Sequence, residues 1–449
     1  MIGEALSGEF DILIENGTLL TMEEPLLIEN GVVGISNGKI ASLGASERHR
    51  SARAQRVIDA RNCIVMPGFV NCHTHIASNM LLRGLLEDVQ LFEWLSTMWR
   101  LKRNFDSQTL YWASLAGLVE MTRSGITCFN EHFDAYAVEP EIEALATLPL
   151  RATLGFGFAD RGIYESITDW SWATLRDFER VVAAHHGADN DRIRVALSPH
   201  ATYSCSADMF RLVREVADSL NVSIHTHLAE GPQELAYVQE TYGTRPVQWL
   251  ASLGFLDSSV TAAHCTQLDA DDIALLAQSG TTIAHCPICN AKLASGTLPL
   301  REVLAAGVTV GLATDGPASH NTLDMFQEMK FAALIHKDKT GDSEFLPTHE
   351  VLRLATAGAA RAMHRPQLGS LAVGQPADLI VVDLDRSHVQ PCYDPLAALV
   401  YATRADDVRY TLVDGRILLD NGEVVGLDEE EVRAKFKAAA LALRDRSMV

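Results

Sequence analysis

The sequence contains no uninterrupted apolar run that approaches the roughly 18 residues of a membrane-spanning helix. Its first ten residues lack the basic flank and the apolar stretch of a signal peptide. Basic residues are scarce: 37 lysines and arginines stand against 58 aspartates and glutamates, and the net charge of −21 would repel a phosphate backbone. We therefore expect neither a membrane nor a nucleic acid among the partners of this chain.

The eight cysteines do not form a disulfide framework, because they are scattered over 449 residues. Three of them, Cys72, Cys265 and Cys286, directly neighbour histidines in the sequence. This arrangement favours reduced thiols and predicts a cytoplasmic location. The pair Cys286 and Cys289 has no second C-x-x-C partner, so a zinc ribbon is not favoured.

Apolar strand-like runs alternate with amphipathic helical segments over the middle of the chain. The predicted strands cover residues 64–70, 126–130, 152–158, 193–198, 222–227, 260–264, 281–285 and 308–314. Near-continuous apolar strands separated by helices indicate a parallel sheet that is buried on both faces. Eight such units predict an α/β fold of the (β/α)8 TIM-barrel type.

Both ends of the chain show a different sequence pattern. Short β-like runs are separated there by turn signals, at residues 16–17, 37–38, 414–415 and 421–422. We expect these ends to pack together as one small β-sandwich domain, discontinuous in sequence. The predicted domain bounds are 1–63 with 369–449 for the sandwich and 64–368 for the barrel. A helix is predicted over residues 429–444.

Polar residues gather at the carboxyl ends of the predicted barrel strands, which open on one face of such a barrel. They are His73, His75, His200, His225, His227, Glu230, His264, His285 and Asp315. Burying so many imidazoles and acids without a partner is costly, so the sequence predicts a shared divalent cation. Histidines 73 and 75 are two apart on a strand end and can reach the same point. We leave His285 out of the site, and we expect His225 to point away from His227 as a hydrogen-bonded core residue.

Several longer motifs coincide with these positions. They are PGFVNCHTH at 67–75, SPHATYSCS at 198–206, HTHLAE at 225–230, AAHC at 262–265, CPICNAKLASG at 286–296, TDGPASHNTLDMFQEMKFAAL at 314–334 and GSLAVGQPADLIVVD at 369–383. The chain resembles the metal-dependent amidohydrolase superfamily over nearly its whole length. Within it, the motifs are similar to those of the aminohydrolase branch, with its S-adenosylhomocysteine/methylthioadenosine deaminases, guanine-type deaminases and s-triazine hydrolases.

The resemblance implies roles for individual residues. His73, His75, His227 and Asp315 would bind the metal, Glu230 would be the proton shuttle, and Glu230, His264 and Asp315 would be catalytic; His200, His264 and Glu230 would contact the substrate. Three histidines and one carboxylate suit Zn²⁺, with Fe²⁺ as the alternative. The sequence has no lysine between Lys102 and Lys292, so the bridging lysine of two-metal members is missing. One divalent metal per chain is expected.

The chain departs from the family pattern at positions that would surround the substrate. Lys102 stands where nucleoside-type deaminases carry a glutamate for the ribose hydroxyls, and Phe156 stands where many members carry an arginine. His320 replaces the first asparagine of the usual Ser-Asn-Asn. Trp94 and Trp99 are expected to be core residues rather than part of a ligand wall. These changes put ribose recognition in doubt.

Three functions are therefore compared. The leading hypothesis is a metal-dependent hydrolytic deaminase that releases ammonia from an aminated N-heterocycle, such as an adenine nucleoside, a purine or a pterin-like ring. The alternative enzyme is an s-triazine hydrolase that displaces chloride or an alkylamine, since residues 123–137 resemble those enzymes equally well. The third is a non-catalytic metal-binding homologue. The substrate is expected to be a small heterocycle, and the protein a homo-oligomer.

Overall fold

The computed structural model describes residues 9–46, 53–102, 104–132, 138–161 and 172–447. The strands in these ranges are β1 (Glu9–Leu20), β2 (Leu27–Ser36), β3 (Lys39–Ala45), β4 (Arg53–Asp59), β5 (Cys63–Pro67), β6 (Phe69–Thr74), β7 (Ile126–His132), β8 (Arg151–Phe158), β9 (Ile193–Pro199), β10 (Ile224–Leu228), β11 (Val260–His264), β12 (Thr282–His285), β13 (Val310–Leu312), β14 (Leu379–Asp383), β15 (Val408–Val413), β16 (Arg416–Asp420) and β17 (Glu423–Val424).

The helices in the same ranges are α1 (Ile76–Asn79), α2 (Leu91–Lys102), α3 (Ser107–Arg123), α4 (Glu139–Thr147), α5 (Trp172–His185), α6 (Ala188–Asp191), α7 (Ala207–Leu220), α8 (Pro232–Tyr242), α9 (Pro246–Ser252), α10 (Ala270–Ser279), α11 (Pro287–Lys292), α12 (Leu300–Ala305), α13 (Met325–Thr340), α14 (Thr348–Ala355), α15 (Ala357–Ala362), α16 (Pro395–Tyr401) and α17 (Glu429–Ser447). None of the helices in this part of the chain is long and apolar enough to cross a membrane.

Local side-chain chemistry fixes where many of these helices begin. Asp106, Ser206, Asp269, Asp324 and Asp394 precede α3, α7, α10, α13 and α16 and accept a hydrogen bond from a backbone N–H of the first turn. Such caps satisfy donors that the helix itself leaves unpaired. The starts of these five helices are therefore encoded by residues that directly precede them in the sequence.

Eight strands, β6 to β13, form a parallel sheet in sequential order, with helices between them. The two end strands meet where the Asp315 backbone N–H donates to the His73 carbonyl oxygen at 3.0 Å. The Asn71 side chain reinforces this seam with two hydrogen bonds to Thr314. Its Oδ1 accepts from the Thr314 backbone N–H, and its Nδ2 donates to the Thr314 hydroxyl. The (β/α)8 barrel predicted from the sequence is confirmed, and the seam brings His73 next to Asp315.

The first predicted strand is two strands in the structure. Residues 64–67 lie in β5, which pairs with β1 and β14 in the other sheet, while β6 starts the barrel at Phe69. Gly68 makes the change of sheet possible, because a Cβ at this position would lie 2.1 Å from the Thr127 side chain. A uniform apolar run cannot reveal such a break, since both strands are buried.

The second sheet has nine strands and combines both ends of the chain, in the order β17-β16-β15-β14-β5-β1-β2-β3, with β4 on β1. This is the predicted unit of N- and C-terminal segments, and its core joins Ile14 and Val33 to Leu379 and Leu412. The exact domain bounds stay a prediction. The helix predicted over residues 429–444 is α17.

Three of the four turn predictions are correct, since residues 37–38, 414–415 and 421–422 connect paired strands. The prediction at Asn16 and Gly17 is wrong. These residues lie inside β1, at shifts in its register with β2. Asn16 has a φ of 66°, so the asparagine–glycine signal marks an irregularity within the strand rather than its end.

A buried ion pair joins the two sheets. The Arg151 guanidinium at the start of β8 donates from Nε to Asp378 Oδ2 at 2.7 Å and from Nη2 to Asp414 Oδ1 at 2.6 Å. Arg151 is 1% exposed, so water does not compete for these contacts. Charge-assisted bonds of this kind fix geometry as well as adding energy, and here they fix the barrel against the second sheet.

Candidate metal centre and active site

The carboxyl ends of the barrel strands bring the predicted site residues together. His73 lies in β6, His227 in β10 and His264 at the end of β11. The others follow a strand directly or within three residues: His75 after β6, His200 after β9, Glu230 after β10 and Asp315 after β13. All are at most 6% exposed. In a parallel barrel the carboxyl ends of all strands open on one face, and this is why these side chains meet there.

Four side chains face a common point with the spacing of metal ligands. His73 Nε2 lies 3.2 Å from Asp315 Oδ1, and His75 Nε2 lies 3.4 Å from the same oxygen. His75 Nε2 and His227 Nε2 are 3.2 Å apart. Ligands about 2.1 Å from one metal and roughly 90–110° apart are separated by about 3.0–3.4 Å. His73, His75 and Asp315 form one group that can hold a metal ion, and His227 adjoins this group through His75.

The outer nitrogens of His75 and His227 are held by backbone carbonyl groups. His75 Nδ1 donates to the His132 carbonyl oxygen at 2.7 Å, and His227 Nδ1 donates to the His200 carbonyl oxygen at 2.8 Å. A carbonyl can only accept, so each ring carries its proton on Nδ1 and presents the Nε2 lone pair to the common point. Such contacts fix the tautomer and orientation of metal-binding histidines.

Burial keeps the imidazoles in the form that binds a metal. It lowers the pKa of His73 to about 4 and holds the pKa of His227 well below its usual value. Both rings are therefore neutral near pH 7. Neutral imidazole is the ligand form of histidine.

Asp315 is held as an ionised carboxylate. Its Oδ1 accepts the Gly316 backbone N–H at 2.6 Å, and its Oδ2 accepts from the Ser319 hydroxyl at 2.8 Å and from the Cys289 thiol at 2.7 Å. Burial opposes ionisation, but the hydrogen bond with His73 outweighs it and holds the Asp315 pKa well below its usual range. Its backbone φ of 59° is in the left-handed region, which is costly for a non-glycine residue.

Glu230 and His264 lie beside the metal-facing group. Glu230 Oε1 is 3.9 Å from His264 Nε2, and burial raises the pKa of Glu230 to about 7. The Glu230 backbone N–H donates to Glu234 Oε2 at 2.7 Å, which fixes the start of the following loop. A carboxyl group with this pKa can both donate and accept a proton near neutrality.

A cavity opens next to these groups. Its lining includes His75, Asn79, Leu91, Trp94, Leu95, Trp99, Lys102, His200, Tyr203, His227, Glu230, His264, Leu293 and Asp315. The expectation that Trp94 and Trp99 belong only to the core is wrong, because both also form the wall. Lys102 is 3% exposed, and its ammonium lies 5.0 Å from the centre of the Trp99 ring. Phe156 packs on Phe158 and Phe178 and is not among the lining residues.

His132 was not predicted, although it lies in the same cluster. It ends β7, two residues beyond the predicted strand, and its ring centre is 4.4 Å from that of His227. The ring is fully buried, and neither nitrogen has a hydrogen-bond partner among the described residues. With His75 and His227 it forms one of the groups that can hold a metal ion. The sequence signal for His132 is the alternation of residues along β7. The predicted strand ends at residue 130 and therefore does not include it.

The predicted direction of His225 is also wrong. His225 Nε2 lies 2.8 Å from His73 Nδ1, so its ring points to the same side as that of His227, as residues two apart on a strand do. It is nevertheless a buried, hydrogen-bonded histidine, as expected.

His285, which we left out of the site, contacts His336 through the two Nε2 atoms at 2.8 Å. His320 Nε2 lies 2.7 Å from Glu328 Oε1.

The chain is similar over its whole length to known proteins. A 5-methylthioadenosine/S-adenosylhomocysteine deaminase of Pelotomaculum thermopropionicum is 38% identical over 97% of this chain and 99% of the relative. A 5′-deoxyadenosine deaminase of Methanosarcina acetivorans is 39% identical over the same shares of both chains. These proteins carry names of enzymes that remove an amino group from an adenine ring.

Two solved structures extend the comparison. An adenosine deaminase from Xanthomonas campestris with bound zinc has a TM-score of 0.91 and 32% identity, covering 99% of this chain and 100% of the other. An atrazine chlorohydrolase from Arthrobacter aurescens, complexed with zinc, has a TM-score of 0.88 and 26% identity, covering 96% and 100%. The Amidohydrolase family profile matches residues 64–418. The barrel, its histidine and aspartate cluster and these matches agree: the chain belongs to the amidohydrolase family.

Proposed function

We propose that this protein is a metal-dependent hydrolytic deaminase that releases ammonia from an aminated N-heterocycle. The observation that carries the proposal is the position of Glu230, whose carboxyl lies 3.9 Å from His264 beside the four metal-facing residues. A site that only bound a metal would not need a buried acid of pKa about 7 at its edge. The full-length similarity to adenine nucleoside deaminases supports this choice of reaction.

The cofactor is one divalent metal, Zn²⁺ in our proposal and Fe²⁺ as the alternative, held by His73, His75, His227 and Asp315. Three imidazoles and one ionised carboxylate fit either ion. A metal bound there supplies a Lewis acid that brings a water molecule towards hydroxide near pH 7. The zinc in two similar solved structures favours Zn²⁺.

The chain itself supplies the proton transfers. Asp315, ionised and held by Ser319 and Gly316, accepts a proton from the attacking water. Glu230 delivers a proton to the ring nitrogen beside the carbon that is attacked, so that full negative charge does not build up on the ring. Asp315 then protonates the leaving amine, the C–N bond breaks and ammonia departs. The hydroxyl proton of the adduct returns to Glu230 as the ring carbonyl forms.

His264 and His200 position the reacting groups. His264 Nδ1 is fixed 2.9 Å from Asn290 Oδ1, which directs Nε2 towards the cavity. There it orients the attacking oxygen or polarises the substrate. His200 Nδ1 is held by the Ser204 hydroxyl at 2.9 Å and presents the rest of its ring to the cavity as a substrate contact.

The cavity wall suits a flat aromatic ring. Trp94, Trp99 and Tyr203 supply aromatic surface, and Leu293 adds an apolar contact. Lys102 also lines the cavity, at the position where the resemblance described above would place a glutamate for the ribose hydroxyls. A free ring, or a ring whose substituent accepts hydrogen bonds, therefore fits this wall better than a ribose diol does.

The altered wall and the structural similarity to an atrazine chlorohydrolase favour one alternative reaction, the hydrolysis of an s-triazine. In that reaction, chloride or an alkylamine would leave an s-triazine through the same hydrolytic groups. The last five residues of the segment 123–137, which resembles those enzymes, lie outside the described residues. A non-catalytic homologue is the distant third candidate. We also propose that the protein is a cytoplasmic homo-oligomer.

A substrate panel tests the proposal. Zinc-loaded protein is assayed for release of ammonia, alkylamine and chloride from aminopurines, pterins, adenine nucleosides and substituted s-triazines, with metal-stripped protein as the control. We expect metal-dependent ammonia release from a purine, pterin or nucleoside. Release of chloride or alkylamine alone would establish the triazine alternative. No reaction on any ring, with the metal shown to be bound, would contradict both enzymes.

A further inference from the structure

A buried thiol lies beside the candidate metal centre and has no part in the proposed reaction. Cys289, in the short helix α11 that follows β12, is fully buried. Its Sγ lies 2.7 Å from Asp315 Oδ2. The thiol therefore contacts the carboxylate oxygen that is turned away from His73 and His75.

His264 presents a lone pair on the same side of the centre. Its Nδ1 lies 2.9 Å from Asn290 Oδ1, and an amide oxygen only accepts, so the imidazole proton is on Nδ1. Nε2 then carries the lone pair. The nearest carboxylate to it, Glu230 Oε1, is 3.9 Å away, which is too far for a hydrogen bond.

The carboxylate of Asp315 divides its two oxygens between two groups of side chains. Oδ1 faces the Nε2 atoms of His73 and His75, and Oδ2 faces Cys289 and Ser319. A carboxylate in this position can give one oxygen to each of two neighbouring cations, as in two-metal sites. Donor atoms of His264, Cys289 and Asp315 all lie within 4.8 Å of one another.

We infer that His264, Cys289 and Asp315 form a second, weaker site for a thiophilic divalent cation, Cd²⁺ or excess Zn²⁺, next to the catalytic centre. Sulfur, imidazole and carboxylate donors together suit such ions. The binding itself is independent of the proposed function. Its effect on turnover rests on that function, because it engages His264 and Asp315.

Binding at this site requires a proton to leave. The S–H bond of Cys289 breaks, the proton passes to the buffer, and the sulfur forms a bond to the cation, so charge and atoms balance. The first centre is proposed to have four ligands, whereas this site has three donors and shares one of them, Asp315, with the first. The second site is therefore the weaker one, and it fills only when the cation is in excess. Once filled, it removes the His264 lone pair and Asp315 Oδ2 from catalysis.

The experiment uses protein loaded with one equivalent of zinc and titrates it with Cd²⁺. Thiolate-to-cadmium absorption in the ultraviolet and metal content per chain are followed together with ammonia release. We expect a second equivalent to bind with this absorption, while turnover falls in parallel. Cys289→Ser should retain the first equivalent, lose the absorption and weaken inhibition roughly tenfold or more. Inhibition in each variant is measured against its own rate without cadmium.

Cys392→Ser is the matched control, because Cys392 is a partly exposed thiol that is absent from the metal-binding groups. It should leave both the second equivalent and the absorption in place. Persistence of the absorption in Cys289→Ser, or failure of wild-type protein to bind a second equivalent, would overturn the inference. If the absorption depends on Cys289 but no tested ring releases ammonia, the cation site stands and the proposed deaminase fails.

Discussion

His73 and His225 are joined by a contact of 2.8 Å between Nδ1 of the first ring and Nε2 of the second, in the interior of the barrel. The two residues come from β6 and β10, which are not neighbours in the sheet. When Nε2 of His73 binds a metal, the proton of this ring is on Nδ1 and is donated to His225 Nε2. His225 thus orients a metal-facing residue without itself facing the metal.

Replacing His225 tests this relationship. We predict that His225→Leu keeps a metal site but lowers its affinity by about 10–100-fold, because His73 loses the acceptor that fixes its tautomer. Competition with a chelator measures the affinity. His364→Leu is the control, since His364 is a histidine outside the metal-facing group that contacts Thr261. Unchanged affinity in His225→Leu would show that His73 is oriented without His225.

Metal stoichiometry tests the four-residue ligand set. We predict one tightly bound metal after dialysis and its loss in His73→Ala, His227→Ala and Asp315→Ala, since each variant has too few ligands. Metal analysis of folded protein makes the measurement. His349→Ala, whose side chain is 44% exposed on α14, should retain the metal. Two equivalents that survive dialysis in wild-type protein would contradict the single-metal prediction.

Substitution of the proposed proton shuttle separates catalysis from metal binding. We predict that Glu230→Gln keeps its metal but loses about 10²–10⁴-fold in kcat, because glutamine has a similar shape and cannot transfer a proton. Glu240→Gln, on the exposed side of α8, is the matched control and should behave as wild type. A kcat near the wild-type value in Glu230→Gln would assign the proton transfer to another residue.

The raised pKa of Glu230 also predicts how stability varies with pH in metal-free protein. The unfolded chain releases this proton near the ordinary value of 4.5, whereas the folded state keeps it until about pH 7. Stability therefore falls as pH rises between these values, and the ionised group costs about 3 kcal/mol above them. Glu230→Gln should gain about that much relative to wild type at pH 8, and little at pH 4. Urea unfolding at both values tests this, and an equal gain at both would contradict it.

Lys102 tests the prediction about ribose. We predict that a nucleoside and its free base differ by less than about a thousandfold in kcat/KM, which corresponds to about 4 kcal/mol of transition-state binding. Lys102→Glu should raise the ratio in favour of the nucleoside, because a carboxylate can accept bonds from the ribose hydroxyls. Steady-state kinetics on matched pairs measures both ratios. A larger ratio in wild-type protein would show that other residues bind the ribose.

The residues on the strand ends could be placed from the sequence because strand order dictates where they meet. Apolar runs mark the strands, and a parallel barrel brings all their carboxyl ends to one face. This was enough to bring His73, His227 and Asp315 together. No such rule places the contact of Cys289 with Asp315, because it depends on how the short helix α11 leaves β12.

Other differences arise where one local pattern has two structural outcomes. Trp94 and Trp99 have the spacing of core residues on α2, and burial alone does not distinguish a core from the wall of a cavity. Asn16 and Gly17 favour a left-handed backbone, which serves a strand irregularity as well as a hairpin. Only the partners of β1 decide between the two, and they are distant in sequence.

The passage of the chain through Gly68 has a consequence for recombining this protein with its relatives. The backbone leaves the second sheet at β5 and reaches the metal-facing His73 within the next strand, without a linker in between. The N-terminal half of the second sheet is thus the immediate upstream scaffold of the catalytic centre rather than an appended module. A chimera that takes the second sheet from a relative and the barrel from this protein must place its junction between β5 and β6. A shift of one residue there would turn His73 and His75 out of the barrel.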